Sequence, residues 1–231
     1  TDITKLLKKG TDSRISEESL RAELSKMLSN KVRKKKYSKE KFEYLLTYYR
    51  TTLIFRVLIS KRWKKDYSGF NNFLFLSSGI IRFFLDLCGM AIIIASQKNL
   101  DVKKIKEIPA EIQTESAHSV SHALLEKLAL GVEDHGIAMQ KFIMDIGDIF
   151  RTKLQYDNNE PETIRISIAD SESKWPTQLK TVLSTGVRES VFQHIEDSTG
   201  IKPKNPTTHR PTTYLLNRMY APGLGISHTA R

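Results

Sequence analysis

The stretch "LSSGIIRFFLDLCGMAIIIA", residues Leu76–Ala95, sets a single arginine, Arg82, at the head of an otherwise apolar segment. The segment is long enough for a helix, and its apolar residues run nearly all round the helical wheel, which predicts burial on several sides. A guanidinium there needs an anion or a route to water. Two readings stand on residue chemistry. Either Arg82 snorkels to the surface or pairs with Asp86 one turn later, in the less favourable order of base before acid, or it faces an anion such as a phosphate.

Working outward, a chain of 231 residues with 39% hydrophobic content makes one large or two modest domains with a real core. Cys88, inside the apolar segment, is the single cysteine, so there is no disulfide framework or cysteine-based zinc site, and a small core hydrophobe in a reducing compartment is expected. The longest apolar run, Phe83 to Ala95, is broken by Asp86 and is too short to cross a bilayer. With no charged-then-apolar leader either, a cytoplasmic protein without a membrane partner is expected.

The net charge is +11, and its location is more informative than its size. Residues 1–70 hold 19 Lys and Arg against 8 Asp and Glu, whereas residues 71–231 hold 18 of each. Two clusters dominate the basic third. One is "KVRKKK", with Arg33, Lys34, Lys35 and Lys36; the other is "SKRWKKDY", with Lys61, Arg62, Lys64 and Lys65 interleaved with Trp63 and Tyr67. Such runs are either solvated helix ends or phosphate contacts.

Ser16 is placed to cap a helix through "EESLRAELSKMLSNKV", with Leu20, Leu24, Met27 and Leu28 at helical spacing. A second helix is predicted from Ser38 to the "SKRW" cluster, "DYSGFNNF" reads as a turn, and Ser77 or Ser78 is expected to cap the opening segment. Residues 1–98 thus form a helical, basic unit. Residues 99–111, charged and containing Pro109, read as a hinge. Residues 112–231 form a second unit, with helices near 112–130, 136–154 and 176–188. Strands are expected at "TIRISI" and near Thr213–Leu215, the latter stopped by Pro222. "SVFQHIE" either continues the third helix or switches to a strand. This order is that of a winged helix-turn-helix with a small β-hairpin and a wing at about 198–211. Lys180 and Arg188 on the third helix, and Lys202, Lys204, His209 and Arg210 in the wing, are the candidate DNA contacts. No acidic residue occurs from Ser198 to Arg231. A packing module that does not bind DNA is the alternative.

The sequence has no "GxxxxGK[ST]" phosphate loop, glycine-rich dinucleotide turn or "GxSxG" elbow. Glu115, His118, His122 and Glu126 share one helical face, but Ser119 stands where a zinc protease needs glutamate, and no metal site is assigned. Asp145 and Asp148 are expected to cover a solvent edge. No nucleophile, base and orienting acid occur as a set, so no catalytic residue is assigned.

"LSSGIIRFFLDLCGMAI" resembles the helical lid of AAA+ ATPases in the origin-recognition and replication-initiator branch, where Ser-Gly followed by arginine opens a lid helix. The chain also resembles a bacterial group of such ATPases ending in a motif like "YLLNRMYAPGLGIS" (Tyr214 to Ser227). The resemblance implies that Arg82 is the sensor-2 arginine reaching nucleotide phosphates, and that a DNA-binding winged helix follows the lid. The Walker A and B parts are absent from this sequence. The resemblance therefore implies the C-terminal half of a larger ATPase, with ATP or ADP and Mg bound only together with an upstream ATPase lobe, in cis or in trans. DNA is the expected partner. The alternative is a protein-interaction adaptor in a multi-subunit or defence assembly without direct DNA binding, with a homo-oligomer or defence-complex partner.

Overall fold

The computed structural model describes residues 3–8, 15–29, 37–101, 103–131, 135–156, 164–168, 171–195 and 211–228. The protein is mainly helical with a small three-stranded antiparallel sheet, as expected from the sequence. No described helix is long and apolar enough to cross a membrane.

A short α1 (Ile3–Leu6) precedes α2 (Glu17–Ser29), which Ser16 opens by accepting from Ser19 N at 3.2 Å. The second helix, expected as one piece, is two: α3 (Lys39–Tyr48) and α4 (Arg50–Lys61), meeting at Tyr49. The bend sets Tyr48 edge-on against Tyr49 at 4.9 Å and buries Tyr49 with Leu20, Leu24, Leu46 and Leu53 in a first core. Arg21 grips Glu43 across α2 and α3 through two bonds of 2.6 and 3.0 Å.

The "DYSGFNNF" stretch does more than turn. Gly69, at φ +103°, starts α5 (Phe70–Leu76), and its N–H donates to Gln113 Oε1 at 2.8 Å. α5 packs with α6 (Ile81–Gln97) and the first half of α7 (Ala110–Gly131) around Phe73, Leu76, Phe83, Leu87 and Ala117, a second core that includes the buried Cys88. Between α6 and α7 the chain is anchored at Ile108, which donates to Leu6 O at 2.9 Å and accepts from the buried Gln113 side chain at 2.7 Å.

The third core lies between α8 (Gly136–Tyr156), α9 (Thr177–Arg188) and a sheet of β1 (Arg165–Ile168), β2 (Phe192–Ile195) and β3 (Thr212–Leu216). β3 is central and antiparallel to both neighbours, with Arg165 opposite Leu215 and Phe192 opposite Leu216. The expected hairpin is therefore β2 and β3, with β1 added on the far edge. Helix, strand, helix, strand, strand with the order β1-β3-β2 is consistent with a small winged domain. The strand expected at "TIRISI" is β1, which lies between α8 and α9 as the sequence indicates, and one 3₁₀ turn, Glu172–Lys174, precedes α9. "SVFQHIE" becomes a strand because Ser190, at φ +60°, ends the helix. Pro222 does not stop β3 but sits in the first turn of α10 (Ala221–Leu224), where its missing N–H costs nothing.

α7 unites the units. Its Ile112 and Val120 serve the second core, and its Leu125 and Leu128 the third. α4 reaches the third core through Phe55, and Arg56 Nε donates to Leu154 O at 3.3 Å near the end of α8.

Candidate nucleotide-sensing and nucleic-acid interface

The turn before α6 is made by Ser78 at φ +52° and Gly79 at φ +80°. Neither Ser77 nor Ser78 caps the helix as expected; the N-cap is Ile80, which offers no side-chain acceptor. Ser77 Oγ donates instead to Leu74 O at 2.7 Å, and Ser78 Oγ accepts from Arg218 N at 3.3 Å. The first-turn amides of α6 are thus unclaimed by any side-chain cap, and Arg82 stands exposed in that same turn. Its guanidinium lies 5.4 Å from the Phe83 ring centroid. Among the described residues it makes no ion pair with Asp86 or with any other acid. This arrangement, donors and a fixed positive charge at a helix N-terminus, suits phosphate oxygens.

α6 is not buried all round, contrary to its composition. Phe83, Leu87, Ala91 and Ile94 face the second core, whereas Ile81, Leu85 and Ile93 are 76%, 60% and 50% exposed. A groove of about 260 Å³ runs beside that face, between Leu85, Gly89 and Ile93 of α6 and Val120 and Leu124 of α7.

The "YLLNRMYAPGLGIS" segment is the part whose role the residues alone left unread. After β3, Asn217 caps a 3₁₀ turn, Arg218–Tyr220, its Oδ1 accepting from Met219 N at 3.0 Å. Arg218 lies with its guanidinium 4.3 Å from the Phe75 ring centroid, and its Nε donates to His228 O at 3.1 Å; burial lowers its pKa. Burial pushes the Tyr220 phenol up, Arg82 pulls it down and Glu189 pushes it up, so the hydroxyl lies in the field of both charges. A clue in the sequence is Arg218 itself, a lone base within an apolar run.

The basic candidates separate by role. Lys61, Arg62 and Lys64 are exposed at the end of α4, Arg62 in the left-handed region at φ 57°. Lys65 is drawn inward, its Nζ 3.4 Å from His228 Nδ1 and 4.7 Å from the Tyr67 ring centroid. Lys180 is half-buried on α9. Arg188 at the helix end is exposed and pairs with Glu189 at 3.1 Å. Arg33, Lys34, Lys35, Lys36, Lys202, Lys204, His209 and Arg210 lie outside the described residues.

Glu115, His118, His122 and Glu126 are not brought together, and no group of three metal-ligating side chains occurs among the described residues. Glu115 pairs with Lys98, and His122 is exposed. His118 turns inward, edge-on to Tyr67 at 5.6 Å, with Nε2 buried without a partner. Burial, first, and the Lys64 charge push it down to about 4. Asp145 and Asp148 are exposed, the latter paired with Arg151.

The ORC-CDC6-like family model matches residues 3–231, nearly the whole chain. The chain belongs to the ORC-CDC6-like family. No curated protein and no solved structure matches it. Membership makes this an ORC/CDC6-like relative of AAA+ replication initiators. In this ORC-CDC6-like chain, the Ser-Gly turn, the exposed arginine and the sheet-bearing C-terminal unit occur in one connected body.

Proposed function

We propose that this ORC-CDC6-like chain is the C-terminal nucleotide-sensing and DNA-binding portion of an origin-recognition-like AAA+ ATPase of bacterial type. Arg82 contacts the phosphates of ATP or ADP held with Mg by an upstream ATPase lobe, in cis or in trans, and the winged unit and the basic N-terminal helices contact DNA. The observation that supports this most is Arg82 itself: a permanent charge, exposed at an uncapped helix N-terminus and unpaired among the described residues. A bound nucleotide would supply the anion, and lid closure would follow its occupancy. For DNA, support comes from the basic third of the chain and from α9, whose Thr177, Ser184 and Arg188 are exposed, with Lys180 nearby.

The test is the salt dependence of binding to a mixed-sequence duplex. Affinity should fall steeply between about 50 and 200 mM salt, and Lys180→Ala should reduce the log–log slope by about one. A slope near zero removes the DNA reading. It would favour the second reading, an adaptor that binds protein, which the open apolar face of Ile81, Leu85 and Ile93 supports.

A further inference from the structure

We infer that the segment after α4, residues 62–66, is a stacking platform for an unpaired base, with Trp63 supplying the ring and the cations around it holding the phosphates of a single DNA strand. The inference rests on the reading that the basic N-terminal helices contact DNA, and it names the form of DNA that this part of them takes.

The sequence interleaves two aromatics with four cations here, and the fold separates the aromatics. Tyr67 turns inward and is buried in the second core, whereas Trp63 turns outward and is 37% exposed. The segment is held at both ends. At its start Arg62 N, on a left-handed residue, donates to Ile59 O at 3.0 Å and Trp63 N donates to Leu58 O at 2.8 Å, a pair of bonds that closes α4. At its end Tyr67 N donates to Thr114 Oγ1 on α7 at 3.1 Å. Trp63 therefore stands on a fixed backbone, and little order has to be gained when a ligand arrives.

Charge decides what the platform takes. Lys61, Arg62 and Lys64 are exposed beside Trp63, and Lys65 follows. Asp66 is the only acid between Ile59 and Ser68, and its Oδ1 accepts from Ser68 N at 2.6 Å and from Thr114 Oγ1 at 2.8 Å. An indole flanked by cations matches a strand that alternates base and phosphate. In a duplex each base face is covered by its neighbours, so only the cations act there. A single strand offers the phosphates and a bare base to stack as well. Stacking also covers the ring that the fold leaves in water. Trp63 is the one exposed aromatic of the segment, a single point of contact that suits a base better than a lipid surface.

The experiment is a fluorescence titration of the full chain with oligothymidine of about twelve nucleotides, beside a mixed-sequence duplex of equal length at the same salt. Oligothymidine should quench the tryptophan emission. In Trp63→Phe the remaining emission comes from Trp175, buried in the third core, and should not respond. Trp63 belongs to none of the three cores, so its variants keep the fold. With affinities read by anisotropy of labelled strands, Trp63→Ala should weaken the single strand about tenfold and the duplex by less than about twofold, and Trp63→Phe should keep most of the single-strand affinity. Equal losses for the two forms, or no quenching at saturating oligothymidine, overturns the platform alone and leaves the duplex reading standing. Tighter binding of oligouridine assigns the unpaired base to RNA and overturns the DNA source. A response to phosphatidylserine vesicles without one to oligothymidine overturns the platform in favour of a membrane surface. An absence of binding to either form of DNA at low salt removes the DNA reading, and the platform with it.

Discussion

Arg82 differs from Arg21, Arg56 and Arg218 in how its charge is met. Arg21 has a carboxylate, and Arg56 and Arg218 have backbone carbonyls, whereas Arg82 has no such partner among the described residues. Because Arg82 is exposed, Arg82→Ala should change unfolding free energy by no more than about 0.5 kcal/mol in urea titrations. Its effect should appear in nucleotide binding once an ATPase lobe is present, and a large loss of stability would show that the residue is structural. The turn behind it is more sensitive. Gly79 holds φ +80° with open space where a Cβ would lie, so Gly79→Ala meets no clash but must adopt a left-handed backbone. A loss of about 1–2 kcal/mol in the same titration is expected.

α6 is read correctly as a helix from its length and apolar content, but its environment is not. Apolar residues all round predicted burial on several sides, and the observed helix buries one face and leaves Ile81, Leu85 and Ile93 in the open. Hydrophobicity reports the tendency to be covered and not the identity of the cover. Gly89 lies in that open groove, and a Cβ built there meets nothing within 4 Å. Gly89→Ala should therefore stabilise the protein by about 0.5–1 kcal/mol through helix propensity alone, seen as a higher urea midpoint at unchanged slope. An unchanged or lowered midpoint would mean that the groove closes in solution.

Across the molecule, the C-terminal segment ties the units together. His228 and His118 both pack against Tyr67, at 5.5 and 5.6 Å between ring centroids, and Gly223 N donates to Ser121 Oγ at 2.8 Å on α7. Burial, with nearby positive charge, holds the two imidazoles down at about 3 and about 4 respectively. Unfolded, each would titrate near 6.5, so the unfolded chain binds more protons as pH falls below that value. The stabilisation from keeping them neutral is complete above about pH 6.5 and is lost progressively toward pH 4. His118→Phe, which keeps a ring against Tyr67, should flatten the decline between pH 7 and pH 5 by about 1–2 kcal/mol in urea titrations repeated across pH. An equal decline in the variant would assign the acid sensitivity elsewhere.

Local chemistry was sufficient to place most elements. The periodicity of Leu20, Leu24 and Met27, the cap at Ser38, the punctuating Pro176 and the β-branched run at "TIRISI" all act within a few residues of themselves, and each helix or strand formed where such signals stood. Whether Arg82 would meet Asp86 was a question about two side chains one turn apart, and the fold answered it by leaving both exposed and unjoined. The placing of Arg218 against Ser78, and of Tyr220 near Arg82, had no local signal, since Arg218 and Tyr220 stand more than a hundred positions away. It exists because β3 enters the middle of the sheet and delivers the next turn onto the segment that opens α6, where Arg218 N donates to Ser78 Oγ. Pairing and packing at such separations depend on which surfaces close against each other, and that is settled by the tertiary structure.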